Sequence, residues 1–119
     1  MTINEFTGTS WDELPEVVRT FLVAQSNSDV GAATAAFAAD AEVTDEGHTH
    51  RGRPEIKAWL RRAGREYTYT TEFTHATMAG ADQVDVVQHL EGDFPGGVAD
   101  LHFRFTLDGG RVRRLVIEP

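Results

Sequence analysis

Residues 83–118 read QVDVVQHLEGDFPGGVADLHFRFTLDGGRVRRLVIE, and this stretch decides the fold. Val84, Val86 and Leu90 share one parity, and Leu101, Phe103, Phe105 and Leu107 share another. Such alternation predicts strands with one buried face. The expected strands are 83–91, 98–107 and 112–118, joined by GDFPGG (92–97) and DGG (108–110). Pairing Leu90 with Leu101 sets Val86 opposite Phe105, Val84 opposite Leu107 and Gln88 opposite Phe103, with His89 and His102 paired on the other face. A one-residue slip would scatter the apolar set, so the pattern selects this register. A three-residue DGG loop then sets Leu115 against Phe103 and Ile117 against Leu101, and turns Arg113 inward. The opposite face carries Asp85, Val87, His89, Asp100, His102 and Arg104.

Working outward, YTYTTEFTHATM (67–78) reads as a fourth long strand, with Tyr67, Tyr69, Phe73 and His75 on one face. Before it the period changes to 3.6. Leu14, Val17, Val18, Phe21 and Leu22 form one helical stripe, which ends near residues 25–28. Its start is either a Ser10–Glu13 capping box or Pro15 at the first helical position. Asp29 can cap a second helix, VGAATAAFAA (30–39), and residues 41–46 read as a short strand. Pro54 opens a third helix with Ile56, Trp59, Leu60 and Ala63 on one face, and Gly64 is a stop. The expectation is a flexible arm over residues 1–9 and one α+β domain over 10–119. Its three N-terminal helices pack in the concave face of a curved, mostly antiparallel sheet.

Composition narrows the function. A chain of 119 residues suits one domain and buries roughly two thirds of its unfolded surface. Nineteen acidic against eleven basic residues give a net charge of −8. That field repels phosphate backbones and anionic lipid, so nucleic acid and membrane are not expected partners. Lys57, Arg61 and Arg65 recur every fourth residue, with Arg62 beside them, and read as a solvated basic stripe. There is no cysteine, hence no disulfide and no thiolate nucleophile. No run of 18 apolar residues occurs, and the first residues lack a signal-peptide pattern, so a cytoplasmic location is expected.

The chemistry concentrates in VTDEGHTHRGR (43–53). Asp45 lies near the end of the short strand: at the mouth of an apolar interior desolvation would make this carboxylate a usable base, while a solvated strand-end or turn-capping side chain is the plainer alternative. Glu46 should point the other way. His48 and His50 have spacing that would allow a metal with Asp45, but no fourth ligand is evident and no metal is expected. Arg51 and Arg53 read as surface charges about Gly52, with an anion contact or a pair with Glu46 as the functional alternative.

FAADAEVTDEG (37–47) followed by RGRPEIKAWL (51–60), in this order of elements, resembles the nuclear-transport-factor-2-like superfamily and its SnoaL-like and ketosteroid-isomerase-like groups. The resemblance covers nearly the whole chain. It implies a cone-shaped, cystatin-like α+β barrel, a pocket for a hydrophobic small molecule, no cofactor and a homodimer through the outer sheet face. It places the general-base aspartate of the isomerases on Asp45. The isomerases' tyrosine and protonated aspartate, both oxyanion donors, fall on Phe21 and Phe103, which cannot donate a hydrogen bond. The expected pocket is Phe21, Trp59, Tyr69, His75, Gln88, Phe103, Phe105, Leu115 and Ile117 around Asp45, with Tyr69, His75 or Gln88 as a substitute donor. Two functions follow: proton transfer on a hydrophobic carbonyl compound, of isomerase, cyclase or dehydratase type, or non-catalytic ligand binding and dimerisation by the same fold.

Overall fold

The computed structural model describes residues 8–119, apart from the side chains at positions 64 and 65. Most of the expected arm, residues 1–7, lies outside the described residues, and Thr9 is already bridged to the sheet by its N–H to the Ala76 carbonyl at 2.7 Å. Both expected helix starts are used. The Glu13 carboxylate accepts the Ser10 N–H at 2.9 Å over a single 3-10 turn, Trp11–Glu13. Helix α1 (Glu16–Ser26) begins after Pro15. Its stripe of Val18, Phe21 and Leu22 is buried.

Helix α2 (Val30–Ala35) is capped by Asp29, whose Oδ1 accepts the Ala32 N–H at 3.1 Å. It stops four residues before the predicted end. The chain instead enters strand β1 (Phe37–Asp45), where Phe37 pairs with Val112 and is fully buried. Alanine propensity in so short a helix is a weak force, and burying one phenylalanine outweighs it. The Arg53 guanidinium holds the exit by donating to the Phe37 carbonyl at 2.8 and 3.0 Å. Arg53 is thus an internal brace rather than a surface charge.

A strand absent from the sequence reading follows. Strand β2 (His48–Arg51) folds back on β1, with Asp45 opposite His48 and Val43 opposite His50. Only Glu46 and Gly47 connect them, both at positive φ, 52° and 78°. A two-residue turn of this hand matches the strand twist and requires positive φ twice. Glu46 therefore sits in the turn instead of continuing the strand beyond Asp45. Helix α3 (Gly52–Glu66) then starts two residues before Pro54 and runs two residues past Gly64.

Strands β3 (Tyr69–Met78), β4 (Gln83–Gly92), β5 (Val98–Asp108) and β6 (Arg111–Glu118) form the meander. The six strands make one curved, unclosed sheet in the order β2-β1-β6-β5-β4-β3, antiparallel except for β1 beside β6. The three helices complete this α+β fold. Phe21, Phe37, Phe103, Phe105, Ile56 and Leu115 are its largest fully buried side chains.

Both hairpin registers are two residues away from the expected ones. Leu90 faces Ala99, Val86 faces Phe103, Val84 faces Phe105 and Gln88 faces Leu101. The cause is a tight connection: Gly92 N–H donates to Gly97 O at 3.0 Å, and Gly97 N–H to Phe94 O at 2.9 Å. Side chains alternate with period 2, so an even shift leaves the apolar residues of these strands on their expected face. Between β5 and β6 the turn is Gly109–Gly110, at φ 60° and 77°, and Phe105 faces Leu115 while Phe103 faces Ile117. A bulge lies beside this turn, and Arg113 is exposed rather than inward.

Candidate functional site

Between the helices and the concave sheet face lies a cavity of about 520 Å³. This volume falls within the range typical of small-molecule sites, roughly 300–1,000 Å³. The apolar part of its wall includes Val30, Leu60, Leu90, Leu101, Phe103 and Ile117. Its polar groups include Asp45, Tyr69, Gln25 and the α1–α2 turn residues Ser26, Ser28 and Asp29.

Asp45 owes its place to local rules. It is the last residue of β1, held between Ile117 of the parallel neighbour β6 and His48 across the hairpin. The following turn removes Glu46 from the strand, leaving Asp45 half-buried in the wall. Its Oδ2 accepts the Trp59 indole N–H at 3.0 Å. Trp59 reaches it from the buried face of α3, and the His50 ring stacks on the indole with centroids 6.0 Å apart at 26°. The second histidine of the loop therefore packs the tryptophan that holds Asp45. His48 is exposed, and among the described residues no group of three metal-ligating side chains converges. Arg51 pairs with Glu42 at 3.3 Å, not with Glu46.

Tyr69, at the start of β3, is half-buried in the same wall. Burial, and then the nearby Asp45 charge, push its hydroxyl pKa up. The phenol therefore keeps its proton at neutral pH and can donate it in a hydrogen bond.

Of the residues expected around the pocket, Asp45, Trp59, Tyr69, Phe103 and Ile117 line the cavity. Phe21, Phe105 and Leu115 are buried, but in the core rather than in the wall. There Phe21 meets Phe37 and Phe105 edge-on, at 5.5 and 5.7 Å. Gln88 is also buried, but donates from Nε2 to Gln25 Oε1 at 3.2 Å, so Gln25 is the amide in the wall.

His75 is exposed, on the opposite sheet face from the expected one. A bulge between Phe73 and His75 inserts Thr74, so that His75 pairs with Val87 while Ala76 is buried. One extra residue in one strand reverses the parity of everything after it. The Thr74 hydroxyl closes the bulge by donating to the Val87 carbonyl at 2.9 Å.

Several wall residues were not read from the sequence as pocket residues. Leu60 and Leu90 were legible as inward positions of their elements. The polar SNSD turn (26–29) carried no sign that it borders a cavity, since such clusters ordinarily mark solvated loops.

Residues 18–115 match the SnoaL-like domain family. No curated protein matches the chain. Among solved structures, a candidate polyketide cyclase from Sinorhizobium meliloti is 35% identical with a TM-score of 0.87, over 92% of this chain and 99% of that one. A protein with a ketosteroid-isomerase-like fold from Catenulispora acidiphila, in complex with trimethylamine, is 23% identical with a TM-score of 0.78, over 88% of this chain and 85% of that one. A Mycobacterium tuberculosis protein in complex with estradiol-17β-hemisuccinate is 13% identical with a TM-score of 0.74, over 87% of this chain and 90% of that one.

Proposed function

We propose that this chain, which belongs to the SnoaL-like domain family, is a cofactor-independent enzyme that moves a proton on a hydrophobic carbonyl compound. Asp45 is the general acid/base and Tyr69 the hydroxyl donor to the carbonyl oxygen. The observation that carries the reading is the Asp45 carboxylate, held by the Trp59 N–H at 3.0 Å in the wall of a largely apolar cavity that also contains Tyr69. The two groups divide the work. A base removes the proton next to the carbonyl, and a phenol that keeps its own proton stabilises the charge that develops on oxygen. Of the three substitute donors expected, Tyr69 alone is in the cavity wall.

The test is Asp45→Asn, which retains an acceptor for the Trp59 N–H while removing the base. Turnover of the carbonyl substrate should fall by about 10²–10⁴-fold with the fold intact. Unchanged turnover removes Asp45 from the mechanism.

A second reading, a non-catalytic binder, is favoured by Phe103. This residue lines the cavity where the isomerase pattern has an acid, and it cannot donate. In either case the protein acts as a cytoplasmic homodimer joined through the outer face of β4, β5 and β6. Light scattering at micromolar concentration should give twice the chain mass, and a monomeric mass refutes the dimer.

A further inference from the structure

Asp45 carries its charge in a wall that contains several aromatic rings. Among the described residues, no Arg, Lys or His forms an ion pair with it, although five other carboxylates have such partners. Its hydrogen-bond donor is the neutral indole of Trp59. The same cavity wall also contains the rings of Tyr67, Tyr69 and Phe103. The remaining charged side chains of the described wall are Asp29 and Arg61, both exposed. Asp29 also uses one oxygen to cap α2.

We propose that this cavity selects small organic ammonium ions over neutral molecules of the same shape, with Asp45 as counter-ion beside the rings of Trp59, Tyr69 and Phe103. Three physical terms act in the same direction. A carboxylate drawn out of water gains most from a cation that enters without a tight hydration shell. An alkylated ammonium is such a cation, and aromatic faces attract it through the ring quadrupole. The net charge of −8 raises the local concentration of cations around the whole molecule. The alkyl groups would meet the apolar wall at Leu60, Leu101 and Ile117. Arg61 opposes the effect, but its exposed charge is screened by water and salt. The inference requires an ionised Asp45 and does not require that Asp45 act as a base.

The probes are choline and its neutral isostere 3,3-dimethylbutan-1-ol, titrated into the full chain. The readout is the indole N–H resonance of Trp59, assigned with Trp11→Phe. The signal should saturate with choline, and the isostere should bind roughly tenfold or more weakly. Asp45→Asn should remove most of that preference by weakening the binding of choline. Phe103→Leu should reduce the preference again, with spectral dispersion confirming that both variants fold. Equal binding of the two probes, no binding of choline, or a preference that survives Asp45→Asn overturns the inference. Turnover of a neutral carbonyl compound by the native protein would stand in any of these cases. Conversely, cation selectivity without turnover would remove the enzyme and keep the inference.

Discussion

The two faces of the sheet treat the same chemical group in opposite ways. On the outer face of β4–β6, Asp85, Glu91, Asp100 and Glu118 sit in or near water, each with a basic partner. Asp100 and Glu91 accept from His89 at 2.7 and 2.8 Å. Asp85 meets His102 at 2.9 Å and Arg104 at 3.5 Å, and Arg104 also bonds Glu118. On the inner face Asp45 is half-buried, its donor is the neutral Trp59 indole, and among the described residues no basic side chain forms an ion pair with it. Pairs in water contribute little, because the charges were already well solvated. The half-buried Asp45, held by a neutral donor, is the carboxylate of the cavity wall whose role the proposed function addresses. The contrast separates a charge-rich, solvated network on the outer face from a single half-buried carboxylate in the cavity wall, where the proposed chemistry would act.

The largest effect should come from the floor beneath the cavity. Phe21 is fully buried and meets Phe37 and Phe105 edge-on. Phe21→Ala should destabilise by about 3–5 kcal/mol, through lost burial and the void left behind. Chemical denaturation measures this directly. A loss below about 1 kcal/mol would mean that the interior collapses easily, and would undo the picture of a rigid floor under an open pocket.

A smaller effect tests the support of Asp45. Trp59→Phe keeps an aromatic ring against His50 and deletes the N–H that orients the carboxylate. Hydrogen bonds to charged groups are worth about 1.5–3 kcal/mol, so turnover should fall by about ten- to a hundredfold. The loss should appear in kcat with KM nearly unchanged, because the indole positions the base without holding substrate through that N–H. A rise in KM alone would make Trp59 a binding surface instead.

The faces of β4, β5 and β6 were legible because alternation is a strong signal that survives even a two-residue error in register. The position of Asp45 near a strand end, in the cavity wall, was legible through the family resemblance. What escaped was decided by single residues. Thr74 bulges and turns His75 outward. Glu46 accepts a positive φ of 52° and makes a hairpin of what reads as a wet loop. Phe37 leaves an alanine-rich helix to be buried in the sheet. Each is a tertiary gain overriding a local preference, and alternation and propensity carry no record of it. Gln25 belongs to the same class, since its place in the wall follows from a bond to Gln88, 63 residues away.

The smallest effect belongs to the outer face, and pH isolates it. His89 lies between Asp100 across the β4–β5 pair and Glu91 on its own strand, with Glu72 opposite it on β3. Hydrogen bonds to Asp100 first, and then to Glu91, raise its pKa above the ordinary 6.5. A raised pKa means that the folded protein holds the proton more tightly than the unfolded chain. The stabilisation is therefore full below pH 6.5 and is lost as pH rises through the higher folded value. His89→Asn should accordingly lower the denaturation midpoint at pH 5.5, below the ordinary imidazole value, where the native imidazole is charged. The difference due to this charge should then vanish on the alkaline side. The exposed setting keeps the effect modest, and high salt should shrink it further. A His89 titration midpoint at or below 6.5 by NMR would mean that the carboxylates around it do not act as a cation site. The contrast between a paired outer face and an unpaired interior would then lose one of its two sides.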